Sequence, residues 1–286
     1  MSSTCENFNQ LIPTLGVITH IIEETADTKT FHLTGLDGKN PFHHMPGQCA
    51  MLGIPGVGEA MFSISTAPTN TGYMAFSIKA VGKLTHHLHS LTVGSQVTIR
   101  GPYGTPFPVE DVLKAKDLLF IAGGIGLAPL RSVIHYVLDH REHYGAVDIV
   151  YGARSAADLV FKEEVATGSD SGFATHPNTR MYTTIDREEP GWTGHVGFVP
   201  SYLEEIGCAP HPNKVALICG PPIMIKYALE ALLRLGFEKE QVYTTLEMRM
   251  KCGLGQCGRC NIGAKYICKD GPVFRCDQLD YLPEEY

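Results

Sequence analysis

The first hundred residues alternate short apolar runs with polar turns, which is typical of β-strands. Four runs rich in β-branched or aromatic residues span residues 16–22, 30–33, 49–52 and 73–78. Clusters of glycine, proline and asparagine separate them, as at residues 54–56 and 68–72. Many short strands punctuated in this way predict a closed antiparallel β-barrel.

Residues 101–108 are expected to mark the end of this barrel. The segment contains three prolines and two glycines. Proline cannot donate to a β-ladder, so we predict that a central strand does not continue through the segment. A first domain over residues 1–110 follows from this interpretation.

After this boundary, apolar strand patterns alternate with helical ones. The strand patterns lie at residues 118–122, 147–151, 180–184, 215–219 and 241–246, and the helical ones at 130–140, 162–164 and 222–235. Such alternation predicts a parallel, doubly wound α/β sheet over residues 111–246. Residues 247–286 are then a short third domain, rich in glycine and cysteine.

Composition and charge narrow the class of protein. The chain has 286 residues, the size of two domains with a small appendage. Its formal net charge of −7 disfavours a nucleic-acid partner, because neutralising phosphates requires a basic surplus. The apolar runs are too short to cross a bilayer, and the N-terminus lacks the layout of a signal peptide. We therefore expect a cytoplasmic protein with no membrane span.

A glycine-rich loop follows the first strand of the second domain. Gly123, Gly124 and Gly126 stand between that strand and the next helix, with Pro129 early in the helix. Glycines here allow the backbone to approach a pyrophosphate closely, and the N-terminus of the helix attracts negative charge. Taken alone, the spacing G-G-x-G-x-x-P is equally compatible with a tight turn that binds nothing.

A second loop of the same kind supports a nucleotide site. Cys219, Gly220 and Pro221 also follow a buried strand and precede a helix. In a doubly wound sheet, two such loops can meet at the carboxyl edge, where ligands bind. Cys219 either packs at the strand end, as free cysteines usually do, or borders a nicotinamide. Arg154 either reaches a ribose or its 2′-phosphate, or is a solvated surface residue.

The cysteines of the tail predict an iron–sulfur cluster. Of the nine cysteines in the chain, five lie in the last 35 residues, and an odd number without an export signal disfavours disulfides. Cys252, Cys257 and Cys260 have the C-x4-C-x2-C spacing of plant-type ferredoxins. Cys268 and Cys276 are both candidates for the fourth ligand by spacing. The competing interpretation is a structural zinc site, but zinc ribbons favour paired C-x2-C knuckles and the tail contains one C-x2-C pair.

The order of these motifs resembles the ferredoxin–NADP reductase superfamily. The segments that carry the resemblance are residues 82–85, 101–104, 123–129, 219–224 and the cysteine tail. The chain is similar to the branch with a C-terminal [2Fe–2S] domain. That branch includes the dihydroorotate dehydrogenase electron-transfer subunit, the B component of anaerobic sulfite reductase and the gamma subunit of cytosolic nickel–iron (sulf)hydrogenases. In those relatives the cysteine before Asp-Gly-Pro-Val-Phe is the fourth cluster ligand, so the resemblance implies Cys268.

The resemblance also implies FAD at the junction of the barrel and the nucleotide domain. The residues that match the family's flavin, ribose and pyrophosphate segments are Phe62, Ser63, Ile64, Ser65, Ile78, Lys79, Ala80, Gly82, Lys83 and Thr85. The family pattern R-x-Y/F-S is broken by Ala60, so the arginine that usually grips the pyrophosphate is missing. The N–H groups that follow Gly82 would then carry more of that task. Met224, in the matching segment 219–224, is a further candidate for cofactor binding. Glu247 matches a family position near the nicotinamide or flavin, although it is equally compatible with a solvated glutamate.

The order nicotinamide, flavin and iron–sulfur cluster suits the number of electrons that each cofactor exchanges. A nicotinamide exchanges a hydride, an iron–sulfur cluster exchanges single electrons, and a flavin does both. We therefore expect an electron-transfer subunit that links NAD(P)H, FAD and a [2Fe–2S] cluster to the catalytic redox subunits of a larger complex, with no acid–base residue of its own. Two alternatives are a self-sufficient NAD(P)H-dependent flavin reductase and a non-catalytic module that senses redox state.

Overall fold

The computed structural model describes residues 10–166 and 169–283. Within these residues, one sheet contains β1 (Thr14–Thr25), β2 (Thr28–Gly35), β3 (Cys49–Ile54), β4 (Gly58–Ser63), β5 (Met74–Lys79) and β6 (Gln96–Tyr103). The later strands are β7 (Asp117–Gly123), β8 (Val147–Ala153), β9 (Thr179–Ile185), β10 (His195–Val196), β11 (Lys214–Cys219), β12 (Val242–Thr245), β13 (Asn261–Ile262), β14 (Lys265–Tyr266) and β15 (Val273–Arg275).

The helices lie mostly between the later strands. The α-helices are α1 (Lys83–His89), α2 (Leu127–Asp139), α3 (Lys162–Val165), α4 (Val199–Glu205), α5 (Pro222–Leu235) and α6 (Ile267–Asp270). Short 3-10 helices span Gly124–Gly126, Arg141–His143, Ala156–Asp158, Phe173–Thr175, Lys239–Gln241 and Cys276–Tyr281. No helix of the described residues is long and apolar enough to cross a membrane.

The first sheet is antiparallel and has the order β4-β3-β6-β1-β2-β5. Its concave face buries large apolar side chains, among them Ile18, Phe31 and Phe76. The two edges approach each other, because the N–H of Ser65, just beyond β4, donates to the carbonyl of Ala75 in β5 over 2.9 Å. This curled six-stranded sheet confirms the predicted antiparallel class of the FAD-binding unit.

The prediction that no central strand enters residues 101–108 is wrong at the start of that segment. Strand β6 continues to Tyr103 and lies between β3 and β1. Cys49 pairs with Tyr103 and Met51 pairs with Arg100, so two residues of β6 face one residue of β3. Pro102 occupies this bulge, where its missing N–H removes no regular ladder bond.

The second sheet has the order β10-β9-β8-β7-β11-β12-β15. It is parallel from β10 to β12, and β15 joins β12 in the antiparallel direction. Every residue of β8 and of β11 is buried, as expected for strands covered by helices on both faces. The predicted doubly wound sheet is confirmed. Helix α2 begins at Leu127, three residues before the predicted start, so Pro129 lies in its first turn, where an N–H has no helical partner.

The C-terminal segment is anchored to the nucleotide-binding sheet by β15. Thr244 of β12 pairs with Phe274 of β15. A small separate core forms around Cys260, Ile262 and Ile267 next to the β13–β14 hairpin. The division of the chain at residues 110 and 246 stays a prediction.

Arg131 on α2 ties the two sheets together. Its Nη1 donates to the carbonyl of Ser65 over 3.0 Å, and its Nε donates to the Glu164 carboxylate over 2.7 Å. Burial acts to raise the pKa of Glu164, but hydrogen bonds from His135 and Arg131 outweigh it and lower the pKa to about 2. The ion pair of Arg131 and Glu164 therefore stays charged at neutral pH, and Arg131 holds the first sheet against α2.

Candidate functional site

The two glycine loops predicted from the sequence meet at the carboxyl edge of the parallel sheet. A Cβ added at Gly126 would overlap the carbonyl of Cys219, and one at Gly220 would lie 3.1 Å from the nitrogen of Gly123. Gly124 has a φ of +53°, which favours glycine. The glycines therefore serve two purposes here, since they allow the loops to touch and leave backbone N–H groups open to a ligand.

A cavity of about 650 Å³ lies over this edge and extends to the antiparallel sheet. The predicted site residues that line it are Lys79, Gly123, Gly124, Gly126, Arg154, Gly220, Pro221, Met224 and Glu247. Lys79 comes from β5 and is paired with Asp27 over 3.0 Å, so the antiparallel sheet contributes charge to the cavity wall. Glu247 lies at its other end, immediately before the cysteine tail.

Two predicted nucleotide residues lie behind the cavity wall. Pro129 is buried in α2. The Cys219 thiol accepts a hydrogen bond from Thr245 over 3.0 Å, and burial raises the pKa of Cys219 to about 12. Cys219 is therefore a neutral thiol at physiological pH, packed at the end of β11.

The mouth of the cavity contains the predicted residue Arg154 together with residues that the sequence did not reveal. Arg154 has an exposed side chain and pairs with Asp158 over 3.3 Å. Asp186 follows β9 and also lines the cavity, and burial raises its pKa. Phe198 and Tyr227 line the same mouth with exposed aromatic rings. Asp186 lies two residues after the predicted strand at 180–184, so the carboxyl-edge rule could have found it.

The four residues of the predicted flavin strand divide into two pairs. Phe62 and Ser63 end β4 and are half-buried, and the Ser63 hydroxyl lies 3.8 Å from the Cys49 thiol. Ile64 and Ser65 are fully buried. The Ser65 hydroxyl is bonded to that of Ser77 over 3.3 Å, so these two side chains face the interior.

The predicted ribose and pyrophosphate residues form a compact turn between β5 and α1. Ile78 is buried, and the N–H of Ala80 donates to the carbonyl of Asp27 over 2.7 Å. Gly82 precedes Lys83, the first residue of α1, and the Thr85 hydroxyl accepts hydrogen bonds from Val81 and Gly82 N–H groups over 2.9 Å. Thr85 therefore shapes the turn. Open space lies above Gly82, where a side chain would obstruct a ligand.

The cluster loop has a backbone suited to cysteine sulfurs. Gly253, Gly255 and Gly258 all have φ between +71° and +83°, which curls the chain around the thiols. The Gly255 N–H donates to Cys268 Sγ over 3.1 Å, and the Leu254 N–H donates to Cys252 Sγ over 3.3 Å.

The four predicted ligands differ in exposure. Cys257 is exposed, Cys252 is half-buried, and Cys260 and Cys268 are buried. Burial acts to raise the pKa of Cys252, but backbone N–H groups outweigh it and lower the pKa to about 6. A thiol that ionises this easily is a ready iron ligand.

Cys276 lies in a different environment from these four cysteines. It is buried in the core beneath the parallel sheet with Phe237 and Val242, whereas Cys260 and Cys268 share the small core of the tail. Burial raises the pKa of Cys276 to about 12 and does the same for the pKa of Cys268, so the placement and not the pKa distinguishes the two cysteines. This placement favours Cys268 over Cys276 as the fourth ligand.

Arg100 links the antiparallel sheet to the cluster loop, and nothing in the sequence pattern marked it. Its guanidinium donates to the carbonyl oxygens of Lys251 and Cys252 over 2.6 and 2.8 Å. The same group pairs with Glu59 over 2.6 Å and donates to the Tyr103 hydroxyl over 2.7 Å. The buried guanidinium therefore holds the start of the loop against β6.

Comparison with known proteins agrees with this arrangement. Three protein families match, described as the oxidoreductase FAD-binding domain over residues 16–107, the oxidoreductase NAD-binding domain over 120–230, and the iron-sulfur cluster binding domain of dihydroorotate dehydrogenase B over 247–280. Sulfhydrogenase 1 subunit gamma of Pyrococcus furiosus is 43% identical over 233 residues, which are 80% of this chain and 78% of the relative. The chain belongs to the iron–sulfur branch of the ferredoxin–NADP reductase superfamily.

Further members of this branch cover more of the chain. A probable dihydroorotate dehydrogenase B (NAD(+)) electron transfer subunit of Methanocaldococcus jannaschii is 32% identical over 95% of this chain and 93% of the relative. The solved structure of an NADH-dependent reduced ferredoxin-NADP oxidoreductase has the same fold, with a TM-score of 0.73 and 22% identity over 96% of this chain and 94% of that one. The chain is therefore an electron-transfer oxidoreductase of the superfamily, with FAD-binding, NAD-binding and iron–sulfur-binding parts.

Proposed function

We propose that this protein passes electrons between NADH, FAD and a [2Fe–2S] cluster, and from the cluster to or from the catalytic subunit of a larger redox complex. The observation that carries the proposal is the position of Glu247. It lines the nucleotide cavity, and Cys252 follows it by five residues. Five residues of extended chain span at most about 18 Å, so one short segment joins the nucleotide site to the cluster.

The residues of the cavity act by binding and orienting. Backbone N–H groups of the two glycine loops face a pyrophosphate, and the mouth presents aromatic rings, Phe198 and Tyr227, for an adenine. When bound, FAD would accept a hydride from the nicotinamide and release the two electrons singly.

The arrangement of the thiols supports a two-iron cluster over a single zinc ion. Cys252 is within hydrogen-bond reach of Cys257, and Cys268 is within reach of Cys260. A [2Fe–2S] cluster takes two thiolates on each iron, whereas zinc needs all four around one ion. Two pairs of thiols fit the two-iron arrangement.

The charges at the cavity mouth support NADH over NADPH. A 2′-phosphate adds negative charge, and here Asp158 and Asp186 both line the mouth. Arg154 and Arg187 are both near Asp186, and Arg154 is already paired with Asp158. A carboxylate accepts a hydrogen bond from a free 2′-hydroxyl but repels a phosphate. Asp186→Ser is expected to raise the rate with NADPH relative to NADH by at least about tenfold.

Sequence similarity to a sulfhydrogenase subunit indicates the type of partner. A catalytic subunit of the hydrogenase type is the partner that we propose, because a sulfhydrogenase gamma subunit is 43% identical, against 36% for a dihydroorotate dehydrogenase electron transfer subunit of the same organism. Purification from the native host should recover such a subunit with this chain. Recovery of a dihydroorotate dehydrogenase subunit instead would contradict this choice of partner.

The central experiment is an anaerobic titration of the purified holoprotein. NADH is expected to bleach both the flavin absorbance and the cluster absorbance, and the reduced cluster gives an electron paramagnetic resonance signal. A holoprotein that contains both cofactors but stays oxidised with NADH and with NADPH would contradict the proposal. Zinc in place of iron, with no flavin, would indicate a non-catalytic module.

A further inference from the structure

The cluster segment carries a concentration of positive charge. Residues 248–269 contain five basic residues and no acidic one, whereas the whole chain has 23 Lys and Arg against 30 Asp and Glu. We call these five residues the basic collar: Arg249, Lys251, Arg259, Lys265 and Lys269. A protein that is acidic as a whole therefore has a strongly basic surface in one place.

The side chains of the collar are exposed, and their positive charges are not neutralised by ion pairs within the described residues. All five residues are exposed, and no carboxylate in residues 10–166 or 169–283 lies within ion-pair distance of any of them. Other cations of the same region are paired, as Arg275 is with Asp277 over 2.6 Å. The collar charges consequently add little to the stability of the fold, because they make no local ion pairs.

Each collar residue lies close to a cluster ligand. Every one is within three residues of Cys252, Cys257, Cys260 or Cys268. Three residues span at most about 11 Å, which is comparable with the screening length of about 8 Å at physiological ionic strength. The stem of Lys269 also packs over Gly255 in the loop itself, where its Cδ lies 3.1 Å from the place of an added Cβ.

The collar residues lie on both sides of the exposed ligand of the cluster loop along the chain. Cys257 is the exposed member of the four ligands, and Gln256 beside it is exposed too. Four thiolates and two sulfides outweigh the charge of two irons and leave a net negative charge, so an acidic protein would be repelled from an uncompensated cluster edge. Positive charges around that edge reverse the sign of the interaction and steer an acidic partner to it.

We propose that the basic collar is the docking surface for an acidic one-electron carrier, either a domain or a subunit, whose own redox centre lies beneath an acidic surface. The inference rests on the proposed function, since the cluster has to be the exit for electrons. One electron leaves the reduced cluster, which is oxidised, and enters the carrier, which is reduced. No covalent bond forms or breaks in this step.

The test uses the holoprotein, reduced anaerobically with NADH, and two carrier proteins of opposite charge. Cytochrome b5 is the acidic probe, and cytochrome c is the basic one. Raising the ionic strength from about 0.01 M to about 0.5 M is expected to slow the reduction of cytochrome b5 at least tenfold, because screening removes the steering. The reduction of cytochrome c should not slow, because its charge has the same sign as that of the collar.

Charge reversal at the collar gives the matched comparison. The double variant Arg259→Glu/Lys265→Glu is expected to reduce cytochrome b5 at least tenfold more slowly at low salt. The conservative double variant Arg259→Lys/Lys265→Arg should restore the rate. Lys162→Glu reverses an exposed lysine at the start of α3, the helix after β8, and β8 is four positions from β15 in the parallel sheet. This variant should leave the rate unchanged.

Two further readouts separate docking from other roles. Cluster absorbance should be the same in the reversed variant as in the wild type. Negative charge near the cluster lowers its midpoint potential, followed by electron paramagnetic resonance, and a lower potential favours electron donation and so does not account for a slower rate. A potential shift large enough to explain the slower rate would overturn the inference and make the collar a tuning device. A change in oligomeric state on charge reversal would also overturn it, because the collar would then contact a second copy of this chain.

Failure of the inference is distinguishable from failure of the proposed function. If NADH does not reduce the cluster, the proposed function fails, and the inference fails with it. If NADH reduces the cluster but the rate to cytochrome b5 depends neither on salt nor on the collar charges, only the docking inference fails. A Cys252→Ser protein without a cluster that reduces cytochrome b5 at the wild-type rate would also overturn it, because electrons would then leave from the flavin.

Discussion

The loss of Arg100 is expected to loosen the cluster loop more than any other single change in the antiparallel sheet. Its side chain is 6% exposed and makes hydrogen bonds to Glu59, Tyr103 and two carbonyl oxygens of the loop. Arg100→Met keeps most of the apolar stem but removes every one of these donors. The carbonyls of Lys251 and Cys252 then lose their donors in a site that water reaches poorly.

The magnitude follows from these contacts. A partly buried carbonyl that loses its donor costs about 1–3 kcal/mol, and the lower half of that range applies because the loop lies near the surface. Glu59 is 43% exposed, so water can solvate it and its lost ion pair adds little. The two carbonyls together cost about 3 kcal/mol. Since 1.4 kcal/mol is a factor of ten, the loop should open roughly 100-fold more often.

The assay measures the release of the cluster. The reconstituted holoprotein is mixed anaerobically with excess iron chelator, and the decay of the cluster absorbance gives the release rate. Arg100→Met should lose its cluster roughly 100-fold faster than the wild type. Electron paramagnetic resonance at the start of the decay verifies that the variant assembled a cluster.

Glu59→Gln is the matched control. It removes the carboxylate that pairs with Arg100 but leaves the two hydrogen bonds to the loop carbonyls. Loss of this partly exposed pair should cost about 1 kcal/mol or less, which is about fivefold in the release rate. Release at the wild-type rate from Arg100→Met, or equal acceleration in both variants, would refute the reasoning from the carbonyl contacts.

Three further predictions concern the links between the elements. Folding lowers the pKa of Glu164 to about 2 from 4.5. Its carboxylate therefore contributes about 3 kcal/mol to the free energy of unfolding above pH 4.5, and this contribution is lost as the pH falls towards 2. The free energy of unfolding in urea should consequently change less between pH 6 and pH 3 in Glu164→Gln than in the wild type. In Gly126→Ala the new Cβ would overlap the carbonyl of Cys219 and push the two glycine loops apart. NADH binding, measured by titration, should weaken about tenfold, whereas the FAD content should be unchanged. Cys268→Ser should abolish the wild-type cluster signal in electron paramagnetic resonance whereas Cys276→Ser should retain it, and the opposite result would assign the fourth ligand to Cys276.

The sequence determined the features that depend on neighbours along the chain. Strand periodicity, the change to alternating strands and helices, and the spacing of Cys252, Cys257 and Cys260 are all local patterns. Strands and helices are visible in sequence because each must place its apolar side chains on a buried face at a fixed period. The cysteine spacing is informative for a similar reason, since one short loop has to wrap around the ligated atoms.

Only the tertiary structure decided the features that depend on distant contacts. Arg100 donates to the carbonyl of a residue 152 positions away, and its role is invisible until β6 and the cluster loop are brought together. Pro102 is tolerated in a central strand because the register between β6 and β3 places it in a bulge. The basic collar is intermediate between the two cases. Its charges can be read from the sequence, but their exposure and lack of carboxylate partners follow from how the rest of the chain packs around them.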